Sequence, residues 1–173
     1  MLETERLLHR KFKPDDLDKL IELRSDTEVN QYLGGARLQN PEAIAKRLEF
    51  YFECYDKFGF GVTAMIWKET GEMIGWSGLM PLEDTGEIEV GYGMSKEFWG
   101  KGIGLETARA WLDYGFNKAG LTRIVAVAQP ENTGSWRIME KCGMRYEKTE
   151  THYGIECLFY AITPEEFYQT VSK

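Results

Sequence analysis

A chain of 173 residues with 43% hydrophobic content has the size and composition of one folded domain, which buries about 70% of the surface its unfolded form exposes. Its net charge of −7 argues against nucleic acid as the main partner, because neutralising phosphates demands basic patches. No apolar run approaches the roughly 20 residues that span a bilayer, and Met1-Leu2-Glu3-Thr4-Glu5 has neither the basic start nor the apolar core of a secretory signal, so neither a membrane nor export is expected.

Arg6 to Phe12 reads as a first strand. Pro14 suits the first turn of a helix, Asp15 and Asp16 favour its N-terminus, and Leu17, Leu20 and Ile21 form its apolar face. Tyr32 to Asn40, with Gly34-Gly35, reads as a loop. Asn40-Pro41 is a cap followed by proline at the first helical position, and Ile44, Leu48, Phe52 and Tyr55 continue as an amphipathic helix. Phe60 to Trp67 alternates as a strand, Glu69 to Glu72 turns, Met73 to Met80 forms the next strand and Pro81 to Gly86 turns again. Glu87 to Met94 is the central strand. Leu105 to Lys118 is a helix closed by Gly120, with Leu105, Ala108, Leu112 and Phe116 at helical period. Arg123 to Ala128 reads as a buried strand, Ser135 to Lys141 as a short helix ended by Gly143, and Arg145–Tyr153 with Ile155–Ile162 as a hairpin about Gly154. Thr163-Pro164-Glu165-Glu166 is a capping box that opens a last helix. With no repeat and no long linker, residues 1–173 read as a single domain of mixed α/β (α+β) class with a largely antiparallel sheet.

Between the central strand and its helix lies Trp99-Gly100-Lys101-Gly102-Ile103-Gly104-Leu105-Glu106. Glycines let the backbone approach a ligand closely, the first N–H groups of a helix lack internal partners, and the helix dipole adds attraction, so the segment is an anion-binding device. A dinucleotide fingerprint fits at Gly100 and Gly102 but meets Leu105 at its last glycine position, and a Walker loop needs Ser or Thr after its lysine, where Lys101 is followed by Gly102. What fits is x-x-Gly-x-Gly ahead of a helix. Lys96 and Lys101 flank the loop as sources of the local positive potential an acidic protein needs to attract a polyanion.

That spacing resembles the acetyl-CoA diphosphate loop of the GNAT N-acetyltransferase superfamily, with Trp99 where Gln or Arg is usual, as in the Trp-Gly-x-Gly variant of the RimJ/RimL-like branch. Asn132-Thr133-Gly134-Ser135 followed by Glu140-Lys141-Cys142-Gly143-Met144 resembles the family's second motif, with Met144 in place of Phe. Thr4-Glu5-Arg6-Leu7 and Asp15-Asp16-Leu17 resemble the opening of that branch, which acetylates protein N-termini and assorted small amines. The resemblance implies a GNAT-like fold: a twisted, mostly antiparallel central sheet with splayed central strands, flanked by helices. It implies acetyl-CoA as co-substrate, its diphosphate on the backbone of Gly100, Lys101, Gly102, Ile103 and Gly104. The pantetheine arm would lie along Tyr92, Gly93 and Met94, between segments 87–94 and 123–128, and bond to Asn132. An open strand edge can pair with the amides of such an arm, and Gly91 and Gly93 suit close approach.

The implied reaction is attack of a neutral amine on a thioester. At pH 7, deprotonating a lysine-like amine costs about 4–5 kcal/mol and a chain-terminal amine about 1 kcal/mol. Glu89 is the candidate base, acting directly or through water, and alternation places it with Glu87 on one strand face. Many relatives carry a tyrosine on the short helix as acid for the thiolate; Met139 stands there, and Ser135 aligns with the serine proposed for that role in the RimL-like branch. Asn132 reads equally as a turn or cap residue. His152, Tyr153, Tyr32, Phe52 and Trp76 are candidates to line the acceptor pocket. Glu106 complements the helix dipole. His9 and His152 form no ligand constellation, so no metal site is indicated. Cys54, Cys142 and Cys157 are odd in number and widely spaced, which reads as reduced thiols in a cytoplasmic protein, Cys142 as a packed one. The expected partners are a small-molecule or peptide amine and a second copy of the chain. A non-catalytic acyl-CoA-binding module is the alternative that Met139 and Trp99 leave open.

Overall fold

The computed structural model describes residues 1–33 and 40–172. The chain opens with β1 (Leu2–Glu3) and β2 (Leu7–Arg10), and a 3-10 turn at Pro14–Asp16 leads to α1 (Leu17–Ser25), α2 (Thr27–Asn30) and α3 (Pro41–Phe58). Then come β3 (Val62–Trp67), β4 (Met73–Pro81), β5 (Ile88–Met94), α4 (Ile103–Asn117), β6 (Ile124–Ala128), α5 (Thr133–Lys141), β7 (Arg145–His152), β8 (Ile155–Ile162) and α6 (Pro164–Val171). One sheet holds all these strands in the order β1-β2-β3-β4-β5-β6-β8-β7. Neighbours are antiparallel except β5 and β6, which the crossover through α4 makes parallel. The architecture is the expected one, a largely antiparallel mixed sheet flanked by helices.

Local chemistry sets most boundaries. Asn40 accepts from the Ala43 N–H at 2.8 Å with Pro41 behind it, and Thr163 and Glu166 form the expected reciprocal box at α6. Two elements were not legible in the sequence. β1 is only a two-residue edge strand, and α2 is a single turn that exists because the Asp26 carboxylate accepts from the N–H groups of Glu28 and Val29. The loop expected over 32–40 falls largely on residues 34–39, outside the described residues.

The alternation in β3 marks two buried faces, not one wet and one dry. One core packs Leu79 and Val90 with Ala108, Trp111, Leu112 and Phe116 of α4 and Phe167 of α6. The other packs Val62, Ala64, Ile66 and Trp76 with Leu20 and Leu23 of α1 and Ile44, Leu48 and Tyr51 of α3. Helices thus cover both sides, and buried area drives each side of the sheet to hold its layer. No helix among the described residues is long and apolar enough to cross a membrane.

Candidate active site

β6 pairs with β8 along its whole length, from Ile124 to Ala128, yet pairs with β5 only at Glu89–Val125. Beyond that point the two parallel strands part. Gly91 and Tyr92 on one side, and Val127 and Ala128 on the other, become walls of a pocket that reaches Asn132, Ser135 and Met139 of the α5 region. Its other end is lined by Arg24, Tyr32, Arg47, Trp76, Glu89, His152 and Tyr153. Cross-strand register explains the division. Glu89 opposes Met80 and Gly93 opposes Trp76, so these residues share the face turned to α1 and α3, while Val90 faces α4.

Glu89 is only 4% exposed. Burial pushes its carboxyl up to about 7; the Tyr153 hydroxyl, which donates a hydrogen bond to it, and the Arg47 charge pull the other way, and the Glu83 charge adds a further upward push. Tyr153 and Gly154 make the β7–β8 turn with φ of +54° and +75°. Two positive φ values suit the tightest hairpin turn, but a tyrosine there is strained by about 1–3 kcal/mol. Glu83, itself at φ +47°, offsets the strain: its carboxylate accepts from the Tyr153 N–H at 3.0 Å and meets His152 Nδ1 at 2.9 Å. The His152 hydrogen bond holds Glu83 below the usual carboxylate range. The strained turn therefore aims one phenol at one buried carboxylate, and burial beside that charge pushes the phenol upward.

Toward the opposite end, the Tyr92 hydroxyl is buried without a hydrogen bond of acceptable geometry, and Ser135 is the polar neighbour that partly offsets the burial raising it. Asn132 caps α5, its Oδ1 accepting from the Ser135 N–H at 3.2 Å, while also lining the pocket. Met139 is buried, and burial pushes the packed Cys142 thiol up to about 12.

The glycine loop keeps its nitrogens available. Trp99 N–H bonds Lys96 O at 2.9 Å, and the next main-chain N–H with a main-chain acceptor of good geometry among the described residues is Glu106, on Gly102 O at 3.0 Å. Gly100 and Gly102 hold φ of +72° and +78°, which a side chain resists. From behind, Arg6 braces the loop: its guanidinium donates to Lys101 O at 2.9 Å and pairs with Glu106 at 2.7 Å. Thr4 and the Arg6 N–H also bond Glu106, so this carboxylate ties the helix to the chain start as well as facing its dipole. The Trp99 indole N–H bonds Met94 O at 3.0 Å, pinning the loop to the end of β5.

The structure also shows what else several of the expected site residues touch. Lys96 is paired with Glu28 at 2.6 Å on the surface, and Lys101 lies 5.5 Å from the centre of the Phe98 ring. Glu87 precedes β5 and pairs with Arg123 at 3.1 Å. An added Cβ at Gly93 would strike the Trp76 ring, so packing across β4 and β5 demands this glycine. Met94 and Ile103 place their side chains in a core with Leu7, Met65 and Ile74, leaving only main chain for a ligand. Phe52 packs with the α1–α3 core and does not line the pocket. His9 is sealed beside Ser77 at 2.9 Å, and burial pulls it down to about 4.

Comparison with known proteins agrees with this geometry. The model of the acetyltransferase (GNAT) domain family matches residues 6–145. The chain is 31% identical over 147 residues to the uncharacterised N-acetyltransferase p20 of Bacillus licheniformis, covering 84% of this chain and 83% of that one. A solved GNAT-family acetyltransferase from Bacillus anthracis superposes with a TM-score of 0.77 at 30% identity, over 95% of this chain and 98% of that one. The fold is also shared by spermidine N-acetyltransferase from Vibrio cholerae in complex with CoA and spermine, with a TM-score of 0.76 at 17% identity, over 94% and 98% of the two chains. With a family model spanning most of its length and relatives matched nearly end to end, the chain belongs to the GNAT acetyltransferases, and its reaction is acetyl transfer from acetyl-CoA to an amine.

Proposed function

We propose that this enzyme acetylates a primary amine of a small molecule or peptide by direct attack on the thioester, with Glu89 as base, and that it falls in the RimJ/RimL-like branch. The observation that carries the reading is Glu89 buried where β5 and β6 part, at about 7 and bonded to Tyr153. The diphosphate would take the open N–H groups of residues 100–105, and the pantetheine arm the gap beside Tyr92 and Asn132. The amine enters from the α1–α3 face. Its proton passes to Glu89, the nitrogen bonds the carbonyl carbon, and collapse of the tetrahedral intermediate breaks the C–S bond. Ser135 offers a hydrogen bond to the departing sulfur, a modest demand because a thiol near pKa 8.5 leaves easily. A base matched to neutral pH is worth about 10²–10⁴-fold in rate.

The test is release of free thiol from acetyl-CoA with a panel of amines. The rate should rise with pH through about 7, as Glu89 loses its proton, and Glu89→Gln should lower kcat about 10²-fold or more. An unchanged kcat in a folded Glu89→Gln variant removes the base assignment. Tight CoA binding with no turnover of any amine would leave a binding module.

A further inference from the structure

Among the described residues, the acceptor end of the pocket carries two guanidinium groups, Arg24 and Arg47, neither of which makes an ion pair. Arg24, on the last turn of α1, is 4% exposed, lines the pocket and stacks over Trp76 at 4.6 Å. Its Nε is sealed without an acceptor, and its side chain makes no hydrogen bond or ion pair among the described residues. Arg47 of α3 lines the same cavity, likewise without an ion pair among the described residues. The two cations are close enough that Arg47 adds to the desolvation that disfavours a charged Arg24. Residues 34–39, Gly-Gly-Ala-Arg-Leu-Gln, contain no acid that could serve either of them. Among the described residues Glu89 is the one carboxylate lining the cavity, and the proposed reaction uses it for the amine.

A buried guanidinium without acceptors is costly, and among the described residues Trp76 stacks on its planar group while no acceptor meets its N–H groups. We infer that Arg24, with Arg47, receives an anionic group of the acceptor, so that the substrate is an amine that also bears a carboxylate. Such a molecule presents its nitrogen to Glu89 and its carboxylate to the guanidinium fork, and the aromatic wall of Tyr32, Trp76 and Tyr153 flanks what joins them. Polyamines and aminoglycosides, which bring only further cations, would be repelled. This inference rests on the acceptor end assigned above.

The experiment compares matched pairs: phenylalanine with phenethylamine, leucine with isoamylamine, and lysine with cadaverine. Thiol release should show kcat/KM higher for the acid of at least one pair by about 30-fold or more, the loss expected when a buried charge loses its partner. Arg24→Met keeps the stem packed on Trp76, and should collapse that ratio to a factor of a few by raising KM for the acid. Calorimetric titration of the CoA-loaded protein with N-acetyl-phenylalanine and N-phenethylacetamide reads the same preference without catalysis. Tighter binding of the acid, lost in Arg24→Met, supports the inference. Equal or weaker use and binding of the carboxylates by the wild-type protein overturns it. Absence of turnover on every amine strikes the catalytic reading alone, and the titration still decides the carboxylate site.

Discussion

Glu89 must be buried to hold its proton near neutrality, and that burial works against the fold. Unfolded, the group ionises near 4.5; folded, near about 7. Between those values the folded state binds more protons, so stability falls as pH rises across the window, by about 3 kcal/mol once complete. Glu89→Gln should therefore melt higher than the parent at pH 8 while losing activity, and show little advantage at pH 4.5. A lower melting temperature at pH 8 would contradict the burial argument. Tyr153 acts in the opposite sense: its hydrogen bond lowers Glu89, so Tyr153→Phe should move the acidic limb of the pH–rate profile to higher pH. A limb that stays in place would show that the phenol does not reach the ionised carboxylate. Alternation in a strand ahead of a glycine loop made Glu89 legible in the sequence. Tyr153 was only one aromatic among several there, because nothing local announces a tyrosine at φ +54°.

At the level of elements, the loop and α4 act as one device with the chain start. Glycine spacing and helical period made the loop and helix readable, although α4 begins at Ile103, two residues earlier than the apolar pattern indicates, because Gly102 in the left-handed region serves as its N-cap. The bracing by Arg6 was hidden behind a motif, since it joins residues 100 apart. Arg6→Met should loosen the loop and raise KM for acetyl-CoA severalfold while kcat at saturation changes little. The Arg6–Glu106 pair is charge-assisted but partly exposed, so the stability loss should stay at about 1 kcal/mol. Loss of kcat with KM unchanged would place Arg6 elsewhere in the mechanism. Gly93→Ala should destabilise the fold by about 1–3 kcal/mol through its clash with Trp76. Equal melting of that variant and the parent would refute the packing account.

Across the whole molecule, the splay of β5 from β6 leaves a strand edge and a pocket open, which the proposed site joins to the loop nitrogens to hold acetyl-CoA. A ligand that binds only the folded chain stabilises it by about 2.7 kcal/mol at 100 times its Kd, or roughly 5–10 °C for a chain of this size. Acetyl-CoA should raise the melting temperature by that amount, and Gly102→Val, strained at φ +78°, should erase most of the rise. A rise that survives in the variant would move the diphosphate off the loop. The acetyl-CoA class came from resemblance to a family; by itself, the sequence determined the run of main elements, the glycine loop ahead of a helix and the carboxylate on the central strand. Each of these is written in local spacing: period, caps and glycines within a few positions of one another. Only the tertiary structure decided that β5 and β6 part after one pair, that Tyr153 reaches Glu89 from 64 residues away and that Arg24 lies buried on Trp76 with no ion pair among the described residues. Those features are balances of burial against charge between distant segments, and no local pattern encodes them.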